Sequence, residues 1–417
     1  MENLELKVIN SVCSTKDMST VLSGNQIDKM FMVYPDVWDF IKYHYSKYRE
    51  VPDVSELAKK FDNFDIIETT GPTQYFVDQM REQYTKNELG RITLKVRDNI
   101  SKISSERVLS GAIKELMALQ DISIESHDLD ITDFEGSMEE YKLTKARSDE
   151  NGGTPGIRTG IDVLDSAYPS GLVGGDLVVV LGWTGRAKSL LTTYVCCNAF
   201  NEGYRPMIIS LEMRTAKVRD RAYTMLGNGM FKNSDLTVGA VNEDDFRTFS
   251  NRYKNKSGFI VVSHDGNNEV TPAMVQSKID QHKPQIIVLD YAQLMSDNAN
   301  SSDMTSRMRN MSKEYKRLAV KNDIPIILIS SATPDATTSI NTPPIIEQVA
   351  WSKQLSYDAD LAFAVHRHDA PLGDNCVLIE IAGRKNRNGD LFSGYFKANI
   401  NEGIYEEFSD LESVQVA

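Results

Sequence analysis

Lys188 and Ser189 have the clearest chemical potential in the chain, because of what surrounds them. The strand-like run Leu177-Val178-Val179-Val180-Leu181 empties into Gly182-Trp183-Thr184-Gly185-Arg186-Ala187, and a helix-like segment runs from Leu190 to Phe200. Strand, small-residue turn, Lys-Ser and helix is the layout of a phosphate-binding loop, whose turn amides and helix N-terminus face an anionic phosphate. Lys188 would reach the β- and γ-phosphates and the Ser189 hydroxyl would ligate Mg²⁺. Gly182, Thr184, Gly185, Arg186, Ala187, Lys188, Ser189 and Leu190 are therefore candidate contacts for ATP or another NTP. The usual spacing is G-x-x-x-x-G-K-[ST], and Ala187 stands where its second glycine belongs. A Cβ there would cost about 1–3 kcal/mol if the site needs φ > 0. Slower hydrolysis with binding partly retained is the expectation.

Two carboxylates end apolar runs downstream. Met207-Ile208-Ile209-Ser210-Leu211 leads to Glu212, and Ile286-Ile287-Val288-Leu289 leads to Asp290. An acid in Asp290's position holds Mg²⁺ in phosphate-loop enzymes. Glu212 is placed to activate the attacking water if its strand lies beside the loop strand. Later, Leu378 to Ala382 alternates like a strand and leads to Arg384, Lys385 and Arg387 before Asn388-Gly389, a β-hairpin with basic residues at its tip. Such a finger could stabilise charge on a phosphoryl group bound by a neighbouring subunit, or be a solvated turn. Arg307, Arg309, Lys313, Lys316, Arg317 and Lys321 make the segment 301–322 locally basic, suited either to a nucleic-acid backbone or to solvent. His366 and His368 read as a solvated strand end rather than a metal site, and Cys196-Cys197 as buried free thiols.

The elements that must position these groups follow from the pattern. Apolar runs at 177–181, 207–210, 259–262, 286–289, 324–329 and 361–365 alternate with helix-like segments, which implies a mainly parallel sheet with helices on both faces. Its chemistry belongs at the carboxyl ends of the strands. Residues 1–125 read as all-α: Val37, Phe40, Ile41, Tyr45 and Tyr48 form one stripe behind Pro35, and Val108, Ala112, Leu116 and Leu119 another. Nothing in this region looks catalytic. Residues 126–155 form a linker with a short amphipathic helix bearing Phe134, Met138 and Tyr141, closed by the turn-rich stretch 149–156. Residues 156–417 are the α/β domain.

Composition narrows the class. The chain has 417 residues, 41% of them hydrophobic, and a formal net charge of −13, which argues against coating nucleic acid with the whole surface. Four cysteines without metal or C-x-x-C spacing suit a reducing compartment. No apolar run is long enough to span a bilayer and no signal peptide opens the chain, so a cytoplasmic protein without a membrane partner is expected.

The order of these pieces resembles the DnaB-type replicative DNA helicases, whose motor domain is RecA-like. The resemblance rests on Gly156-Ile157-Arg158-Thr159-Gly160-Ile161-Asp162-Val163-Leu164-Asp165, Gly174-Gly175-Asp176-Leu177 and the phosphate loop. It continues through Ser210-Leu211-Glu212-Met213, Leu289-Asp290-Tyr291-Ala292-Gln293, Tyr357-Asp358-Ala359-Asp360-Leu361 and Lys385-Asn386-Arg387-Asn388-Gly389. It implies a ring, usually a hexamer, that moves 5′→3′ on single-stranded DNA while hydrolysing NTP in a bacterial or phage-infected cytoplasm. It implies Lys188 and Ser189 on phosphate and Mg²⁺, Asp290 supporting the metal, Glu212 activating water, and Lys385 and Arg387 acting on the neighbour's nucleotide. The connecting helix before residue 150 would pack on a neighbour. The N-terminal helices would form a collar that meets a primase or loader. Ser330-Ser331 departs from the family's usual Ser-Gln, which leaves Gln293 as a polar candidate near the γ-phosphate. Two other readings stay open: a RecA-like ring ATPase of another kind, and a nucleotide-binding scaffold that hydrolyses poorly because of Ala187.

Overall fold

The apolar runs become strands and the stretches between them become helices. A computed structural model describes residues 2–18, 27–120, 131–263, 269–299, 301–333, 340–348, 353–372 and 375–408. Contacts divide the chain into two units, Met1–Thr132 and Asp133–Ala417.

The first unit holds helices α1 (Glu2–Thr15), α2 (Pro35–Tyr48), α3 (Val54–Lys60), α4 (Thr73–Asn99) and α5 (Ser105–Gln120). Pro35 opens α2 as its sequence position predicts. Val8, Ile9, Val12, Trp38, Ile41, Leu57, Val77 and Met80 make its core. The buried Glu5 carboxylate accepts the amides of Met32, Val33 and Tyr34 at 3.1, 2.9 and 3.0 Å, so this acid serves the fold rather than chemistry.

The second unit begins with α6 (Phe134–Glu150), started by the Asp133 side chain accepting the Gly136 amide. The helix runs through Asp149-Glu150, two residues into the stretch expected to be linker, and the turn begins only at Asn151. There follow α7 (Asp162–Ala167), β1 (Leu177–Gly182), α8 (Lys188–Asn201), β2 (Pro206–Ser210), α9 (Thr215–Gly227), α10 (Asn233–Val238), α11 (Glu243–Tyr253) and β3 (Ile260–Ser263). Next come α12 (Pro272–His282), β4 (Ile286–Asp290), α13 (Met304–Asn322), β5 (Ile326–Ser331), α14 (Lys353–Asp358), β6 (Leu361–Pro371), β7 (Val377–Asn386), β8 (Ser393–Asn399) and β9 (Ile404–Phe408).

Among the described residues these strands form one sheet in the order β3-β2-β4-β5-β1-β6-β7-β8-β9. The first six run parallel and β7 to β9 extend the sheet antiparallel. Strand β1 is buried throughout, and its alternate residues feed two cores: Val178 and Val180 pack with α8 on one face, Leu177, Val179 and Leu181 with α13 on the other. The segment before β1 is closed by Asp165, which accepts the amides of Thr159 and Gly160 at 2.9 and 3.0 Å.

Candidate nucleotide site

The carboxyl ends of β1, β2, β4 and β5 open on one side of the sheet, as the parallel pairing requires. A cleft of about 450 Å³ lies there. Thr184, Gly185, Arg186, Ala187, Lys188, Ser189 and Leu190 line it from the loop and helix α8, and Glu212 lines it from beyond β2. Seven consecutive loop residues and an acid more than twenty residues later thus share one space.

The loop is shaped by small residues. A Cβ on Gly182 would sit 2.7 Å from Lys188 Cγ and 2.8 Å from the Val365 carbonyl oxygen, so only glycine lets β1 exit under the lysine stem. Gly185 and Ala187 both take left-handed backbone, at φ 75° and 72°. Left-handed residues alternating with right-handed ones turn successive amides toward an anion. Ala187 therefore sits in the conformation for which a glycine was expected, and its Cβ carries the cost anticipated from the sequence. Lys188 is folded back over the turn, its Nζ donating to the carbonyl oxygens of Gly182 and Trp183 at 3.0 Å each. Trp183 packs inward, with its Nε1 donating to the Thr342 carbonyl oxygen at 2.8 Å.

Glu212 arrives by a different route from the one its sequence position suggested. Strand β2 does not lie beside β1: β4 and β5 separate them, and the neighbours of β1 are β5 and β6. What carries Glu212 to the cleft is the chain beyond β2 crossing the end of β4, where the Leu211 amide donates to the Asp290 carbonyl oxygen at 2.7 Å.

Asp290, at the end of β4, is buried. The Ser189 hydroxyl lies beside its carboxyl, while its Oδ1 is buried with no hydrogen-bond partner among the described residues. Burial pushes its pKa up, and Glu212 nearby adds to that, against the opposing pull of Ser189 and Lys188. Burial likewise lowers the pKa of Lys188, partly offset by Asp290 and Glu212. A hard dication beside Asp290 and Ser189, with phosphate oxygens on Lys188, would satisfy both groups. Carboxylate and hydroxyl oxygens are the donor set Mg²⁺ prefers, so these residues fit that ion.

Other candidates fall elsewhere. Gln293 does not line the cleft; its amide donates to Ser330 Oγ at 2.9 Å and the Ser331 carbonyl oxygen at 3.2 Å, and its Oε1 accepts the Ser331 amide at 3.3 Å. It steadies the end of β5, and Ser331 faces the cleft instead. Lys385 and Arg387 are at the other end of the sheet. Arg387 Nη1 donates to Asp360 Oδ1 at 2.9 Å, and Lys385 Nζ to the Tyr357 carbonyl oxygen at 2.9 Å. The β7–β8 hairpin is as expected, but Arg384 and Lys385 belong to strand β7 and Arg387 alone of the three stands in the turn. Along α13, Arg309 and Lys313 are exposed, whereas Arg307 donates to the Ser301 carbonyl oxygen at 3.0 and 3.2 Å and closes its own turn. His366 is buried rather than solvated, and burial with the neighbouring His368 and Arg186 pushes its pKa down to about 4. Cys196 and Cys197 are buried free thiols, as expected.

Lys217, Arg221, Tyr291 and Arg367 line the cleft and were not singled out from the sequence. Lys217 and Arg221 were the more accessible signal, two cations four apart on the helix that follows Glu212.

Comparison with known proteins agrees on this architecture. The family model described as DnaB-like helicase C terminal domain matches residues 156–402. Relatives include the replicative DNA helicase DnaB of Haemophilus influenzae, 23% identical over 80% of this chain and 75% of its own. That of Helicobacter pylori is 24% identical over 82% of this chain and 71% of its own. A solved DnaB-like replicative helicase, described with its interactions with primase, superposes with a TM-score of 0.65 at 17% identity, covering 97% of this chain and 99% of that one. A second solved structure, described as an ATPase domain, gives 0.55 at 17% identity, over 66% of this chain and 99% of its own. The two structural likenesses show a mixed α/β RecA-like fold.

Proposed function

The chain belongs to the DnaB-like helicase family, and from that premise we propose that it is a replicative DNA helicase that couples NTP hydrolysis in the cleft to 5′→3′ movement on single-stranded DNA. The observation that carries this reading is the meeting of three separate segments at one cleft, with Lys188, Ser189 and Glu212 lining it and the buried Asp290 carboxyl beside them.

The residues divide the work. The loop amides and Lys188 bind the β- and γ-phosphates, Lys188 exchanging the Gly182 and Trp183 carbonyls for phosphate oxygens. Asp290 and Ser189 hold Mg²⁺, which when bound neutralises charge on the phosphates. Glu212, exposed at the cleft wall, orients the attacking water and accepts its proton as the water oxygen bonds the γ-phosphorus and the bridging oxygen leaves with ADP. Lys385 and Arg387 serve the neighbouring subunit's nucleotide. Exposed Arg309 and Lys313 contact the DNA backbone.

A ring needs a joint. Helix α6 buries none of its residues and exposes Phe134, Met138, Tyr141 and Leu143. A groove of about 490 Å³ between α9, α10 and α11 offers Tyr223, Leu236, Val241 and Phe246 as apolar lining. A neighbour's α6 seated in that groove would close a hexamer. The N-terminal helices form the collar where a primase or loader docks. No helix of the described residues is long and apolar enough to cross a membrane, which accords with work in the cytoplasm of a bacterium or phage-infected cell.

The test is ATP turnover with and without single-stranded DNA, beside unwinding of duplexes carrying a 5′ or a 3′ tail. DNA-stimulated turnover lost in Lys188→Ala, with unwinding from the 5′ tail alone, supports the reading. Nucleotide binding without turnover in either the parent chain or Ala187→Gly would leave a ring scaffold. The left-handed Ala187 is the observation that keeps that second reading in view.

A further inference from the structure

Arg186 precedes Ala187 in the loop but is anchored outside it. Its Nη1 donates to the Arg367 carbonyl oxygen at 2.9 Å. Its guanidinium also forks onto both carboxylate oxygens of Asp369, with Nη2 reaching Oδ2 at 2.9 Å. Asp369 comes 183 residues later in the chain. It lies in β6 between Arg367 and Pro371, where the ladder with β7 loses register. A register break re-aims side chains and backbone, and here the carboxylate meets the loop. Ala187 is thus fixed from both sides. Its carbonyl oxygen accepts the Leu191 amide at 3.0 Å in the first turn of α8, and the residue before it is clamped to β6. Between these two anchors the Ala187 backbone stands at φ 72° and ψ 12°, a conformation that a residue with a Cβ leaves readily when nothing holds it.

We propose that Asp369 is a positioning residue for nucleotide binding: through Arg186 it holds Ala187 in the left-handed conformation that the phosphate site requires. It supplies by a bidentate side-chain clamp what a glycine would supply by conformational freedom. This inference rests on the reading of the loop as a nucleotide site. A planar guanidinium fork matches both carboxylate oxygens; the Arg186 side chain is 15% exposed and that of Asp369 75%, so solvent screens the pair and its geometry counts for more than its charge.

A double-mutant cycle on the full chain tests it, read as the dissociation constant of a fluorescent ATP analogue in Mg²⁺ buffer. Asp369→Asn is expected to weaken binding about threefold to fivefold when residue 187 is alanine, the upper span of an exposed ion pair. In the Ala187→Gly background the same substitution is expected to change binding less than about twofold, because glycine takes φ > 0 unaided. Arg186→Gln should reproduce Asp369→Asn, and combining the two should add nothing. Asp369→Glu, which keeps the carboxylate, should lose less. Equal weakening in both backgrounds would overturn the proposal, since a general contribution to the fold does not depend on residue 187. Tighter binding on loss of Asp369 would overturn it too, because Arg186 would then be held away from the phosphates. Failure of the Ala187→Gly chain itself to bind would sink the nucleotide reading and this inference with it.

Discussion

Arg387 and Lys188 stand at opposite ends of one six-residue strand. Arg387 donates to Asp360 Oδ1, and the same carboxylate accepts the Leu177 amide at the entrance of β1 at 2.9 Å. Lys188 lies past Gly182 at its exit. A strand of that length spans roughly 17 Å, which puts Arg387 out of reach of a phosphate held by its own Lys188. Arg387→Ala is expected to leave nucleotide affinity within about twofold and to lower turnover by about 10³. Mixing it with Lys188→Ala should restore part of the turnover, since some interfaces then pair an intact loop with an intact finger. Turnover measured across mixing ratios decides this; two inactive chains that stay inactive together would remove the in-trans role.

Ala187→Gly should stabilise the nucleotide-free chain by about 1 kcal/mol, the cost of left-handed backbone for a residue with a Cβ. Turnover should rise with it, because the clamp holds Ala187 in place without removing the strain of its Cβ. Thermal unfolding and steady-state ATP turnover in the presence of single-stranded DNA check both parts. A variant with unchanged turnover would contradict the slowed hydrolysis expected of Ala187.

Asp290→Asn should raise the thermal midpoint of the nucleotide-free protein at pH 7 while abolishing Mg²⁺-dependent turnover. Burial raises the Asp290 pKa in the folded state above its unfolded value. Stability tied to its protonated form is therefore present at low pH and lost as pH rises through the folded pKa. Asparagine mimics that protonated form at every pH. The gap in midpoint between the two chains should close as pH falls from 7 toward the carboxylate range. Midpoints measured against pH would contradict this if the gap widened on acidification.

The sequence displayed the motor's strands well, since β1, β2, β4, β5 and β6 all begin on or within two residues of an apolar run. It displayed the loop equally well, because those residues are contiguous. Order in the sheet was not legible: nothing near Glu212 says that β4 and β5 separate its strand from β1. Nor was the Asp369 clamp, a contact across 183 residues made at a register break that no local pattern announces. His366 looked like a strand-end residue from its neighbours but is buried, since β6 continues past it to Pro371 beside β7. Helix α4, 27 residues long, buries Phe76, Val77, Met80, Tyr84 and Ile92 but exposes Leu89 and Leu94, which blurs the stripe that marks a helix in sequence.

Arg309→Ala and Lys313→Ala should weaken binding of single-stranded DNA, and each should lower the slope of log affinity against log salt by about 0.7. Turnover without DNA should hold. Arg307→Ala should act differently, loosening the turn at Ser301 and lowering stability more than it changes the salt slope. DNA affinity measured across salt concentrations separates the two behaviours.

The pairing of β1 has a consequence for how the chain is made. Its two neighbours are β5 at residues 326–331 and β6 from residue 361 onward, so β1 leaves the ribosome long before either partner exists. Parallel pairings at such separation close late. A nascent chain stopped before Leu361 would present the loop without β6 and without the Asp369 carboxylate that Arg186 reaches. Both anchors of the loop outside its own helix, the β1–β6 pairing and the Asp369 carboxylate, thus arrive in one later segment of the chain.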